Sequence, residues 1–112
     1  MNHFKYTLRE PAISYIIDGT KKVEGRLYKN TFRNICVGDT ITFFNKNKSV
    51  DVIVTKLNTF DNFGTMLISK GIKNVTPSAK SFNEAKSIYS NIYKKEDIDQ
   101  FGALAIHLEK IK

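Results

Sequence analysis

GTKKVEGRLY, Gly19 to Tyr28, is the stretch whose reading decides the architecture. Lys22, Glu24 and Arg26 stand two residues apart, and successive side chains of a strand point to opposite faces. The spacing therefore predicts a strand that projects all three charges from one face. Upstream, EPAISYIIDG predicts a short helix. Pro11 sits in a first turn, where its missing N–H costs nothing, and Gly19 supplies the left-handed residue past the end. Before that, HFKYTLRE alternates Phe4, Tyr6 and Leu8 with Lys5, Thr7 and Arg9, the period of a half-buried strand. Downstream, a loop carrying Asn30 and Asn34 leads to the turn dipeptide Gly38-Asp39 and a strand, TITFFN. The tip NKNK joins it in a hairpin to a long β-branched strand, SVDVIVTKL.

Beyond Leu57 the period changes. Phe60, Phe63, Met66 and Leu67 recur at helical spacing and Gly71 marks a stop, which predicts a second helix within TFDNFGTMLISKG. IKNVTPSAK reads as irregular. Ser81 and Glu84 have capping-box spacing and open a third helix, whose inward stripe is Phe82, Ala85, Ile88, Tyr89, Ile92 and Tyr93. FGALAIHLEKI alternates Leu104, Ile106 and Leu108 with Ala105, His107 and Glu109 and reads as a closing strand. The order strand, helix, three strands, two helices, strand predicts a small α+β protein with a curled or barrel-like sheet.

With 112 residues, the chain is expected to form one domain over residues 1–112. Hydrophobic residues make up 41% and charged residues 26%, an ordinary globular balance. Apolar runs such as AISYIID fall far short of the roughly 20 residues a membrane span needs, and MNHFKYTLRE lacks the apolar core of a signal peptide. A soluble, cytoplasmic protein with no membrane partner is expected. Cys36 is the only cysteine, which excludes an internal disulfide and a cysteine metal cluster. His3 and His107 are isolated, so no metal and no cofactor is expected, and neither His3 nor Cys36 has a visible partner for chemistry. The net charge of +7 favours polyanionic partners. Lysine greatly outnumbers arginine, however, with Arg9, Arg26 and Arg33 the only three, a bias that AT-rich coding alone would produce.

Five features together resemble the ASCH domain family, whose fold is related to the PUA domain of RNA-modifying proteins. The most specific is Gly-x-Lys-x-x-Glu-x-Arg, met by Gly19, Lys21, Glu24 and Arg26. VGDTITF, the helix pattern from Phe60 to Gly71, and the segments IYSNIY and FGALAIHL follow in the family's order. The resemblance implies a PUA-like barrel with flanking helices, and beside it a basic cleft for RNA, single-stranded nucleic acid or a nucleotide-like small molecule. It implies ligand binding by Lys21, Glu24 and Arg26, with Lys22 peripheral and Tyr89 and Tyr93 at the cleft edge. Lys21 and Arg26 could contact phosphate, and Glu24 a base edge.

Small members of the family that deacetylate acetylcytidine resemble this chain in length. Their lysine matches Lys21. Their threonine nucleophile falls on Glu24, and the expected place of their acid, VTPSAKS, holds no carboxylate, with Glu84 the nearest. That specific amidohydrolase reaction therefore does not carry over. A ribonuclease or other hydrolase using Lys21 and Glu24 as an acid/base pair remains an alternative if burial moves their pKa values toward neutrality. A protein-interaction module is a third.

Overall fold

The computed structural model describes residues 1–112. In chain order the elements are β1 (His3–Thr7), α1 (Ala12–Ile17), β2 (Val23–Leu27), α2 (Asn30–Arg33), β3 (Thr40–Phe44) and β4 (Ser49–Phe60). They are followed by α3 (Phe63–Lys70), α4 (Ile72–Val75), α5 (Phe82–Ile92), α6 (Lys95–Phe101) and β5 (Ala103–Lys110). The strands form one curled sheet in the order β1-β3-β4-β5-β2. Only β1 and β3 run parallel. This is the expected PUA-like α+β architecture.

Alternation along β5 builds a core on each side of the sheet. Leu104, Ile106 and Leu108 point into the curl, where they meet Ile41, Phe43 and Val52 and the helix residues Ile13, Ile16 and Phe32. Ala103 and Ala105 point the other way, toward Phe63, Met66, Leu67, Ala85 and Tyr89. Alanine on that face lets α3 and α5 lie close to the strand. β4 serves both cores because its register shifts between Val54 and Lys56. An extra residue in one strand reverses the side-chain parity beyond it. Val50, Val52 and Val54 enter the first core, Leu57 packs against it as well, and Phe60 packs against the second.

That bulge corrects one expectation. Phe60 belongs to β4, paired with Ala103, and α3 begins at Phe63 under an Asn62 cap whose side chain accepts from the Thr65 amide. Ser81 caps α5 as expected, accepting from the Glu84 amide at 3.1 Å. Gly19 and Gly71 both take positive φ, 86° in each case, after α1 and α3. The short helices α2, α4 and α6 were not legible as periodic segments. The long α5 keeps its stripe with one exception, Ile92, which is 44% exposed. No helix is long and apolar enough to cross a membrane.

The curl leaves β1 and β2 as its two unpaired edges. A side chain bridges them: Arg26 Nη2 on β2 donates to the Thr7 carbonyl at the end of β1, at 3.0 Å. The seam where ladder hydrogen bonds are missing is thus the place where the charged motif sits.

Candidate ligand pocket

The β2 ladder fixes which way each motif residue faces. Glu24 lies opposite Ile106 and Arg26 opposite Leu104, so both point into the curl with those residues. Gly25 faces the α3 and α5 side, where an added Cβ would come within 2.7 Å of the Tyr89 hydroxyl. Only glycine lets that tyrosine close over the strand. Lys22 departs from the expectation that it shares a face with Glu24 and Arg26. β2 starts at Val23, so strand alternation does not extend to Lys22, whose exposed side chain is not among the pocket's walls. Lys21 takes the place inside.

Lys21 is 5% exposed, and its ammonium donates to the carbonyls of Val23 and Val75 and to Glu24 Oε1. Those three acceptors use all three of its N–H groups. Burial pushes its pKa down, against the pull of Glu24. Burial alone would raise the Glu24 carboxyl, yet the charges of Arg26 and Lys21 and their hydrogen bonds outweigh it and hold the group below its ordinary 4.5. Arg26 Nε donates to Glu24 Oε2 at 2.7 Å. Its guanidinium is further enclosed by the rings of Phe32, Phe43 and Tyr6, with centroids 5.5, 5.6 and 5.8 Å away. The sequence motif is therefore one internal ion-paired network, not a row of free charges.

Above this network lies a pocket of about 650 Å³. Leu8, Pro11 and Ala12 form one wall, Val75 and Pro77 a second, and Ile88 and Ile92 of α5 a third. Lys21, Glu24, Gly25 and Arg26 line its base. Tyr89 and Tyr93 also line it, each with its ring parallel to Phe63, at centroid distances of 4.2 and 5.4 Å. Burial raises both phenol pKa values, so the hydroxyls stay protonated and able to donate. The structure thus gathers Lys21, Glu24, Arg26, Tyr89 and Tyr93 around one recess and leaves Lys22 out. It adds Arg9, Tyr15 and the 75–78 segment, which sequence reasoning did not assign to the site. Of the chain's three arginines, two line this pocket.

His107 lies elsewhere, on β5 opposite Lys56, and its buried Nε2 has no hydrogen-bond partner. Burial, then Lys70 and Lys56, push its pKa below 6.5. The folded protein thus keeps this imidazole neutral where the unfolded chain would protonate it, so stability falls as pH drops below 6.5 toward the folded value. Thermal midpoints measured from pH 7.5 to 5 are expected to fall, and His107→Gln is expected to flatten that part of the profile. An unchanged slope in the variant would contradict the assignment.

Comparison with known proteins places this architecture. The hypothetical protein PH0355 is 36% identical and superposes with a TM-score of 0.91, over 97% of this chain and 99% of that one. PF0455 from Pyrococcus furiosus is 32% identical with a TM-score of 0.82, over 98% of each chain. An ASCH domain from Lactobacillus crispatus JV V101 shares the fold at 11% identity, with a TM-score of 0.66 over 97% of this chain and 79% of that one. No curated protein matches the chain. The family model described as the ASCH domain matches residues 7–112, from the end of β1 through the pocket-forming motif and helices to the last residue, and the chain belongs to the ASCH domain family.

Proposed function

We propose that this protein binds RNA or another single-stranded nucleic acid by taking one unpaired nucleotide unit into the pocket beside the barrel. The observation that carries the reading is the recess itself. Its volume, about 650 Å³, falls within the usual range for small-ligand sites, and it combines apolar walls with a polar base. Glu24 offers carboxylate lone pairs, Arg26 has N–H groups beyond those given to Glu24 and Thr7, and the Tyr89 and Tyr93 hydroxyls can donate. Such a mixture suits the edge of a splayed-out base, the usual way proteins read single-stranded RNA.

A hydrolytic role for Lys21 and Glu24 has less support. The Lys21 ammonium is spent on three internal acceptors even as burial lowers its pKa, and Glu24 is held ionised, so the carboxylate is not poised as a general acid near neutrality. Both residues serve instead to hold Arg26 and the pocket base in place. No specific feature favours a protein partner over a nucleotide.

The test is fluorescence anisotropy with labelled single-stranded RNA at two salt concentrations. For each phosphate contacted on a single strand, affinity is expected to fall roughly 2.5-fold between 50 and 200 mM salt. Tyr89→Phe, which keeps the ring stack, is expected to weaken binding about 3- to 10-fold through one lost hydrogen bond. Absent or salt-insensitive binding would discard the reading.

A further inference from the structure

Five ionisable Arg, Lys or Glu side chains line the pocket, and four of them are already paired. Lys21 and Arg26 share Glu24, and Glu10 is held by Lys48 at 2.7 Å. The fifth is Arg9. It is exposed, lines the pocket and makes no salt bridge or side-chain hydrogen bond within the protein. Its sequence neighbour Glu10 does not neutralise it, because that carboxylate also accepts from the Ser14 hydroxyl and amide while bound to Lys48. With Glu10 taken by Lys48, the lining holds three cations against Glu24 alone, and two positive charges are in excess: one inside the Lys21–Glu24–Arg26 network and one on the unpaired Arg9.

Arg9 also stands near Tyr93 in the lining. Its charge lowers the Tyr93 phenol pKa against the effect of burial, as does that of Arg26, so the Tyr93 hydroxyl lies within the fields of both guanidiniums. The segment carrying Arg9 is anchored on both sides. Asn45 Nδ2 donates to the Leu8 carbonyl at 3.1 Å, and the Arg9 carbonyl accepts from the Ile13 amide at 3.3 Å. The backbone is fixed while the side chain stays unengaged.

From these observations we infer that Arg9 forms a phosphate subsite at the pocket, so that the ligand is a phosphorylated nucleoside unit and not a bare base or nucleoside. This inference rests on the nucleotide reading of the pocket and adds to it the group that binds phosphate. Lys21 and Arg26, the cations that the family motif suggests for that role, are committed to Glu24 and to backbone carbonyls. A guanidinium with all its N–H groups unspent can form the two-pronged bond to phosphate oxygens, whereas Arg26 has only the N–H groups that Glu24 and Thr7 leave over. One phosphodiester charge would balance the unpaired charge of Arg9. The phosphate could come from a free nucleotide or from an RNA chain, and the chemistry at Arg9 is the same.

The experiment is calorimetric titration of the wild-type chain with the four ribonucleosides, their 5′-monophosphates and dinucleoside monophosphates carrying a single internal diester. The best monophosphate or diester is expected to bind about 10-fold more tightly than its nucleoside, and whichever of the two binds better identifies the source of the phosphate. Arg9→Ala is expected to erase that advantage while leaving nucleoside affinity unchanged, and Arg9→Lys to restore part of it. Lys86→Ala removes one exposed charge outside the pocket lining and is expected to change neither. Equal binding of nucleosides and nucleotides, untouched by Arg9→Ala, would overturn the subsite and leave the pocket reading standing. An equal loss in Lys86→Ala would likewise overturn it, as a general charge effect. Failure of every ligand to bind would overturn both.

Discussion

Glu24→Gln is expected to destabilise the fold by about 3–5 kcal/mol, because it removes the only counter-charge from two cations held out of water. Lys21 is 5% exposed and the Arg26 side chain 15% exposed, and both make their ion pair with this one carboxylate. Glutamine keeps the shape and one acceptor oxygen but cannot balance either charge. The carboxylate's folded pKa lies below 4.5, so the native protein uses the ionised form throughout the neutral range and the loss should be fully visible at pH 7. The expected shift in thermal midpoint for a domain of this size is roughly 10–20 °C. Chemical denaturation of the variant measures it directly. A loss below about 1 kcal/mol would mean that water reaches the network far more freely than its burial implies, and that it resembles an ordinary surface pair.

Phe43→Ala is expected to cost a similar 3–5 kcal/mol, by a different mechanism. Phe43 is 0% exposed at the centre of the core inside the curl, on β3 between β1 and β4. Removing its ring opens a cavity and also strips one of the three aromatic faces from the Arg26 guanidinium. Phe43→Leu, which keeps most of the volume, is expected to lose about 1.5 kcal/mol or less. The contrast between the two separates packing from a general intolerance of change at this position. Near-equal losses would contradict the cavity argument. Because Arg26 joins the two sheet edges through Thr7, the alanine variant should also weaken ligand binding before it unfolds.

Much of this was readable from the residues. The alternation in HFKYTLRE, the helix stops at Gly19 and Gly71 and the Ser81 cap each depend on local chemistry, and each appears where that chemistry puts it. The limits are equally physical. Period-two spacing grouped Lys22 with Glu24 and Arg26, but the rule holds only inside a ladder, and this ladder begins at Val23. The chain before it is turned so that Lys21 enters the core instead. The β4 bulge moved Phe60 onto the helix-facing side of the sheet, so that it mimicked helical spacing with Phe63. The helices α2, α4 and α6 have four, four and seven residues, too few turns to establish a period. Arg9 lies at the far end of the first strand's alternating pattern, and only closure of the barrel brings it beside residues of β2 and α5.

The same closure explains why the motif reads as a binding signature and behaves as a brace. Two of its charges are consumed in supporting the third, and the three together hold the unpaired edges of the sheet against each other at the pocket base. In the proposed function, ligand contact falls to the lone pairs and N–H groups that remain, to the tyrosine hydroxyls and to Arg9. Substitutions in the motif should therefore change stability and binding together, whereas those at Arg9 and Tyr89 should separate them.

The most direct test is an amide chemical-shift titration of the folded chain with short single-stranded RNA. Saturable shifts are expected at Arg9, Gly25, Thr76, Tyr89 and Tyr93, with Thr42 and Asp51 on β3 and β4 unmoved. Shifts centred on those two strands while the pocket residues stay silent would contradict the pocket reading.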